Sequence, residues 1–293
     1  LTLPEGTVSN LTFRDFVPAG MAFVVGSVAV DTSSFNGTVP AGPAVTPNVG
    51  ALGADGGTVT IEFLGDTVVA GDNVPGNNTL SLRLEALVLD AASVSGLAPQ
   101  TLLTNRADVT YFNNPLGPSN SLPVVVQAIE PRLRIFKSLT PTNDVSADDL
   151  LSITLVVTNA GTATAYDVAV EDVFDPAIYD LGELANVVLP TGFVHEVVGN
   201  AFRILSDTNA PTGTNTIEAG ETLTFTFDVG VANTLAPNVT VTNFATVMGD
   251  TLASTNVFGV ERDTGDTNSA IFVTEDFEPT KLLVATSETG PAD

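Results

Sequence analysis

Apolar and polar residues alternate along most of this chain with a period of two, the spacing of a strand with one buried face. Leu11-Thr12-Phe13-Arg14-Asp15 carries apolar side chains on odd positions up to the last. Leu223-Thr224-Phe225-Thr226-Phe227-Asp228-Val229 and Val239-Thr240-Val241-Thr242-Asn243 repeat the pattern. No stretch keeps amphipathic helical spacing for the roughly 12 residues that would indicate a helix. Turn sequences punctuate the runs: Phe35-Asn36-Gly37, Ala54-Asp55-Gly56-Gly57 and Asn159-Ala160-Gly161. Half-buried antiparallel strands with such punctuation predict an all-β chain built of β-sandwiches.

Two copies of one pattern follow each other. Residues 6–16 read against 162–173, 78–84 against 220–227, and 103–109 against 241–247. Each copy closes on an acidic-Pro joint, Ile129-Glu130-Pro131 and Phe277-Glu278-Pro279. Proline fixes φ and biases its predecessor away from helix, so each joint reads as a stiff extended crossing. The expected organisation is two tandem immunoglobulin-like antiparallel β-sandwiches, module one at 1–131 and module two at 132–279, with 280–293 as a linker or the leading strand of a next module.

Module two opens with a strand, Leu133-Arg134-Ile135-Phe136-Lys137, whereas module one enters just before the equivalent turn. Thr280-Lys281-Leu282-Leu283-Val284-Ala285 has the look of a leading strand with no module after it. Two readings stand. Either the chain is a slice of a longer tandem array, or the tail of one copy completes the head of the next by strand addition. In the second, Lys281, Leu283 and Ala285 face inward from the donor strand, and the non-closing contact builds a filament of this chain alone.

Composition removes whole classes of function. Nine Lys and Arg against 34 Asp and Glu give a net charge of −25, which argues against a nucleic-acid partner. The chain has no Cys, hence no disulfide or thiolate site, and a single His, His195, which argues against a His-centred triad and multi-His metal binding. No apolar run approaches the roughly 20 residues of a membrane span. No catalytic pair stands out, and no enzyme activity is expected. Asp263-Thr264-Gly265-Asp266-Thr267-Asn268 reads as an acidic turn. Asp263 and Asp266 offer the oxygen ligands Ca²⁺ takes, without EF-hand spacing, and a solvated turn is the other reading. No other cofactor is expected. Asn10, Asn36, Asn77 and Asn238 open N-x-Ser/Thr sequons, which a chain rich in Asn and Thr also produces by chance. His195 reads as a surface or packed residue.

One constellation carries chemistry. Strand parity puts Leu133, Ile135 and Lys137 on one face, Val168, Val170 and Asp172 on one face, and Val239, Val241, Asn243, Ala245 and Val247 on one face. An amine, a carboxylate and a carboxamide thus all point toward the core. Burial makes the neutral amine accessible, and a neutral amine can attack a carboxamide carbon if a protonated carboxylic acid polarises the carboxamide oxygen and shuttles protons. Ammonia leaves and an amide bond joins the first strand of the module to the last in a single turnover, with Asp172 as the only catalytic group. The bland alternative is a buried Lys137–Asp172 ion pair with Asn243 merely hydrogen-bonded. Module one has the acid and amide counterparts, Asp15 and Asn105, without a lysine.

Lys137 in a leading strand, Thr158-Asn159-Ala160-Gly161-Thr162-Ala163, then Val168-Ala169-Val170-Glu171-Asp172 ahead of Pro176, and the late strand Val241-Thr242-Asn243-Phe244-Ala245-Thr246-Val247 together resemble DUF11 repeats and the related isopeptide-forming domains of bacterial and archaeal surface proteins. The resemblance spans 133–250 well and 1–131 moderately. It implies an immunoglobulin-like sandwich, tandem arrays, exposure outside the cell and, in some members, a Lys–Asn crosslink. The chain departs from the pattern in module one's missing lysine and in a long, irregular 177–220. The expected function is a structural segment of an extracellular stalk, fibre or filament, whose partners are copies of itself or neighbouring modules. The alternative is an adhesin that holds a glycan or protein through loops such as 32–58 or 177–217.

Overall fold

The computed structural model describes residues 1–91, 93–112, 117–211, 215–253 and 262–276. Among them the alternating runs form strands and one short 3₁₀ turn, Pro75–Asn77. The first half holds β1 (Gly6–Val17), β2 (Met21–Phe23), β3 (Ala29–Asp31), β4 (Gly37–Thr38), β5 (Ala44–Thr46), β6 (Gly57–Val69), β7 (Ser81–Arg83), β8 (Ala86–Val88), β9 (Leu102–Thr110), β10 (Ser119–Asn120) and β11 (Val124–Gln127). The second holds β12 (Leu133–Thr140), β13 (Leu150–Asn159), β14 (Tyr166–Val173), β15 (Tyr179–Val188), β16 (Phe193–Val198), β17 (Ala201–Ser206), β18 (Thr222–Val231), β19 (Thr240–Asp250) and β20 (Asp263–Val273). No sheet mixes strands of the two halves.

Module two is a two-sheet sandwich. One sheet has the order β12-β13-β18-β15 and the other β16-β17-β14-β19-β20. Alternation supplies the core: Leu133, Ile135 and Leu139 of β12 are buried, as are Ile153, Leu155 and Val157 of β13 and Phe225, Phe227 and Val229 of β18. Aromatic edge-to-face contacts knit the two layers, with Phe174 at 4.9 Å from Tyr179 and 6.2 Å from Phe227 between ring centroids.

The two sheets also meet at one edge, where β12 and β20 run side by side. There the side chains of β20 stand in for a backbone ladder. Leu133 N–H donates to Thr264 Oγ1 at 3.0 Å, Ile135 N–H to Asp266 Oδ2 at 3.2 Å and Lys137 N–H to Asn268 Oδ1 at 3.0 Å. Residues 264, 266 and 268 share a face because they are two apart on a strand. The 263–268 segment is therefore a strand, not the acidic turn its composition suggests. Its inward face is polar because it satisfies the edge donors of β12.

Module one keeps one large sheet, β10-β9-β1-β6-β4, with β11 also on β9 and β5 also on β6. Opposite it lie only the short ribbons β2-β8 and β3-β7. The repeat is real in the sheet and weak outside it. β1 and β9 correspond to β14 and β19, whereas the 78–84 segment, matched in sequence to the ten-residue β18, yields only the three-residue β7. The 177–217 stretch, expected to be irregular, contains β15, β16 and β17 and is not a single long loop. His195 sits exposed on β16, its ring 5.4 Å from that of Phe202.

The joint between halves is clamped. Asn159 ends β13 fully buried, accepts at Oδ1 from the N–H groups of Arg132 and Gly161, and donates from Nδ2 to the carbonyls of Ala163 and Ile217. A Cβ at Gly161 would lie 2.4 Å from Arg132 N, and one at Gly96 would lie 2.2 Å from Glu130 N. Both positions need glycine because the Glu130-Pro131 backbone passes between them. Arg262 completes the clamp, bonding Glu130, Asp90 Oδ1 at 2.7 Å and the Ala91 carbonyl at 3.0 Å. The equivalent second joint, 277–279, lies outside the described residues.

Candidate functional site

Three strands deliver the inward-facing polar groups of module two to one point. Lys137 is the third inward position of β12, Asp172 closes the inward face of β14, and Asn243 is the second buried position of β19. All three are shut away from water, at 2%, 0% and 3% exposure. Lys137 Nζ hydrogen-bonds Asp172 Oδ2. Asn243 Nδ2 donates to Asp172 Oδ1 at 2.9 Å and to the Val173 carbonyl at 3.0 Å. One carboxylate thus touches the amine with one oxygen and the carboxamide nitrogen with the other. Asn243 Oδ1 is buried with no hydrogen-bond partner among the described residues, so Asp172 meets the amide nitrogen and not, as expected, the carboxamide oxygen.

The walls are aromatic. The Lys137 amine stands 5.5 Å from the centre of the Phe174 ring, and Tyr179 packs behind Phe174. Tyr179 is a residue that sequence reasoning passed over. Its hydroxyl is buried without a partner, and its pKa is pushed up by burial and by the carboxylates of Asp172 and Asp175. Burial acts on Lys137 and Asp172 as well. It lowers the Lys137 pKa against the pull of Asp172, and raises the Asp172 pKa against the pull of Lys137 and Asn243. Both shifts favour the uncharged forms, amine and carboxylic acid.

That arrangement can carry out one reaction. Asp172 Oδ2 takes a proton as the amine attacks the Asn243 side-chain carbon, and Oδ1 hands a proton to Nδ2, which leaves as ammonia. No water or external reagent enters the balance. Lys137 and Asn243 belong to opposite sheets, and β19 is followed by β20, so Asn243 stands on the next-to-last strand of the module rather than, as expected, the last.

Module one repeats two of the three groups. Asn105 Nδ2 donates to Asp15 Oδ1 at 3.0 Å, and both residues are only partly buried. Burial raises the Asp15 pKa and the Asn105 bond opposes it. The expected donor-strand residues Lys281, Leu283 and Ala285 lie outside the described residues.

The calcium candidates part company. Asp266 is committed to the Ile135 N–H through Oδ2 and lies 3.6 Å from Arg134 through Oδ1. Asp263 lies on an exposed strand position opposite Asp250. Among the described residues no cluster of three or more His, Cys, Asp or Glu is placed to hold a metal. Of the sequon residues, Asn36 and Asn77 both donate their amide nitrogens to Asp72 Oδ2 at 2.8 Å. No helix among the described residues is long and apolar enough to cross a membrane.

No family model matches the chain, and no curated protein does. Solved structures give distant likenesses. The C-terminal domain of the Streptococcus agalactiae antigen I/II polypeptide BspA is 12% identical, with a TM-score of 0.41 over 89% of this chain and 84% of that one. The full-length major pilin SpaD of Corynebacterium diphtheriae is 12% identical, with a TM-score of 0.39 over 92% of this chain and 65% of that one. A collagen-binding domain of a Staphylococcus aureus adhesin is 10% identical, with a TM-score of 0.27 over 50% of this chain and 99% of that one. The functional reading rests on the chain's own geometry.

Proposed function

We propose that this chain is a structural segment of an extracellular stalk, fibre or filament, and that module two is braced by a self-formed amide bond between Lys137 and Asn243. The observation that carries the proposal is the shared carboxylate: a buried amine and a buried carboxamide both hydrogen-bond Asp172. An ion pair alone needs no carboxamide on the second oxygen. It would also be a doubtful stabiliser, because desolvation offsets the attraction of buried charges. With no cysteine in the chain, an amide between side chains is the covalent brace its residues allow. Outward acidity, with a net charge of −25, keeps such a segment soluble and self-repelling except where a specific contact overrides it. Head-to-tail assembly by strand addition belongs to the same reading.

Intact mass tests the bond. The purified chain is expected about 17 Da lighter than its sequence, one ammonia, by condensation of amine and carboxamide. Proteolysis should yield a branched peptide joining 137 to 243, and Lys137→Ala should restore the full sequence mass. An unshifted mass with Lys137 open to amine labels after denaturation would overturn the crosslink.

A further inference from the structure

The core of module two holds two complementary polar atoms with no partner. Asn243 Oδ1 is an acceptor and the Tyr179 hydroxyl a donor, both buried and both unbonded among the described residues. An unpaired polar atom in a core lowers stability, so its presence calls for another cause. For packing alone phenylalanine would serve at 179. The ring makes its contacts edge-on, 4.9 Å from Phe174 and 6.0 Å from Phe272 between centroids, and neither contact uses the oxygen. The hydroxyl is what packing leaves unexplained.

Both atoms belong to the surroundings of Lys137, Asp172 and Asn243. Asn243 is tied through Nδ2 to Asp172 Oδ1 and to the Val173 carbonyl, so its oxygen is the end of the carboxamide left over by those two acceptors. The next residue along, Phe174, covers the Lys137 amine at 5.5 Å, and Tyr179 lies against the Phe174 ring. Tyr179 also reaches across the sandwich. It stands on β15 of one sheet, while Phe272 is on β20 of the other, paired with Val241, two residues before Asn243. The phenol is therefore set between the cover over the amine and the strand pair that carries the carboxamide. Burial, Asp172 and Asp175 push its pKa up, so it keeps its proton and remains a donor.

We propose that the Tyr179 hydroxyl is the donor that receives the negative oxygen formed at Asn243 Oδ1 when the Lys137 amine attacks. This deepens the proposed function and rests on the amide bond assigned there. Asp172 does not fill that role, because one of its oxygens is on the amine and the other on the amide nitrogen. In the resting state the hydroxyl bonds neither Oδ1 nor any other described group, so it is free to turn onto the oxygen once charge develops there. A donor engaged only at that moment lowers the barrier without steadying the reactant. Module one agrees. It keeps the acid–amide pair, Asp15 and Asn105, and has no lysine. The residues as far beyond Asp15 as Tyr179 is beyond Asp172, Met21-Ala22-Phe23, carry no hydroxyl. The module without the nucleophile is also without the donor.

The step balances with the phenol as a hydrogen-bond donor only. The Lys137 nitrogen pair forms the new bond to Asn243 Cγ, and the C=O π pair moves onto Oδ1, where Tyr179 bonds it without giving up its proton. Asp172 Oδ2 takes one proton from Nζ and Oδ1 passes one to Nδ2. The pair on Oδ1 then returns, the C–Nδ2 bond breaks and ammonia leaves.

The test compares the full chain with its Tyr179→Phe variant, both recovered in denaturant at full sequence mass and refolded at neutral pH. Intact mass against time should show the loss of about 17 Da, one ammonia, roughly 10²–10³-fold more slowly in the variant, the usual effect of removing one oxyanion donor. Replacing tyrosine throughout by 3-fluorotyrosine, a more acidic phenol and a stronger donor, should quicken the loss instead. Stability is read in the Lys137→Ala background, where no bond forms. There Tyr179→Phe should leave the urea midpoint unchanged or raised, because the hydroxyl has no partner to lose. A variant that reacts at close to the unmutated rate, a slowing matched by a lower midpoint in that background, or a fluorinated chain that reacts no faster would overturn the inference. The unmutated chain reports separately on the bond. A mass that never falls removes the proposed crosslink and this donor with it, whereas a falling mass with no effect of Tyr179→Phe removes the donor alone.

Discussion

Asp172 has two oxygens, and each faces a different side chain: Oδ2 the Lys137 amine, Oδ1 the Asn243 amide nitrogen. That division of labour makes a definite statement about pH. Burial lowers the lysine pKa and raises that of the acid, so in the proposed reaction the reactive state is neutral amine plus neutral acid. This state holds as many protons as the ion pair, and its share is constant over the interval in which the pair keeps its single titrating proton. Acid adds a proton and leaves the amine charged, whereas alkali removes one and leaves no acid to hand on. Chain kept in denaturant and then refolded across a pH series should therefore crosslink at a rate with a plateau around neutrality and a fall on both sides. A rate that climbs steadily into alkali, read by intact mass against time, would remove Asp172 as shuttle and leave simple amine deprotonation. Strand parity made the inward aim of Lys137, Asp172 and Asn243 legible in the sequence, because alternation is a local property. The Val173 carbonyl and the Tyr179 hydroxyl were not legible, since neither the backbone orientation nor the loop fold between 173 and 179 follows from a period of two.

Among the elements, β20 shows how composition misleads. Asp, Gly, Thr and Asn spell a turn, yet here they form an 11-residue strand. Its inward side chains meet the backbone donors of β12 instead of a hydrophobic layer, so polar residues occupy positions that elsewhere are apolar. The irregular reading of 177–217 failed for a different reason. β15 pairs with β18 through two register shifts, and after Phe193 every side chain of β16 is exposed, so neither shows clean alternation. The β20 ladder has a measurable worth. Asp266→Ala strips the acceptor from the Ile135 N–H, and a half-buried orphaned donor costs about 1–3 kcal/mol. Urea unfolding of the variant should show that loss, with crosslink yield reduced because β12 is less firmly seated. A wild-type midpoint and full yield would show that solvent or a neighbouring group replaces the carboxylate.

At the level of the whole molecule, a pull applied to the two ends of module two would enter through the joint before β12 and leave after β20. A bond from 137 to 243 bypasses everything between those residues. In single-molecule pulling, the crosslinked chain should withhold the contour of 138–242, about 350 Å at full extension. Lys137→Ala should release it in a separate step. Release by the unmutated chain would mean that the load does not run through the amide. Module one has no such brace within the described residues, and its second layer is only two short ribbons. It is therefore the part that yields first unless a neighbour completes it.

The glycines at 96 and 161 bear on form rather than strength. With Glu130-Pro131 gripped between them, one module meets the next at a set rotation instead of swivelling freely. If the chain builds the fibre proposed above, that rotation adds up along it and gives the fibre its pitch and handedness. A single methyl group at either position would have to push the backbone aside, and the winding of such a fibre would change with it.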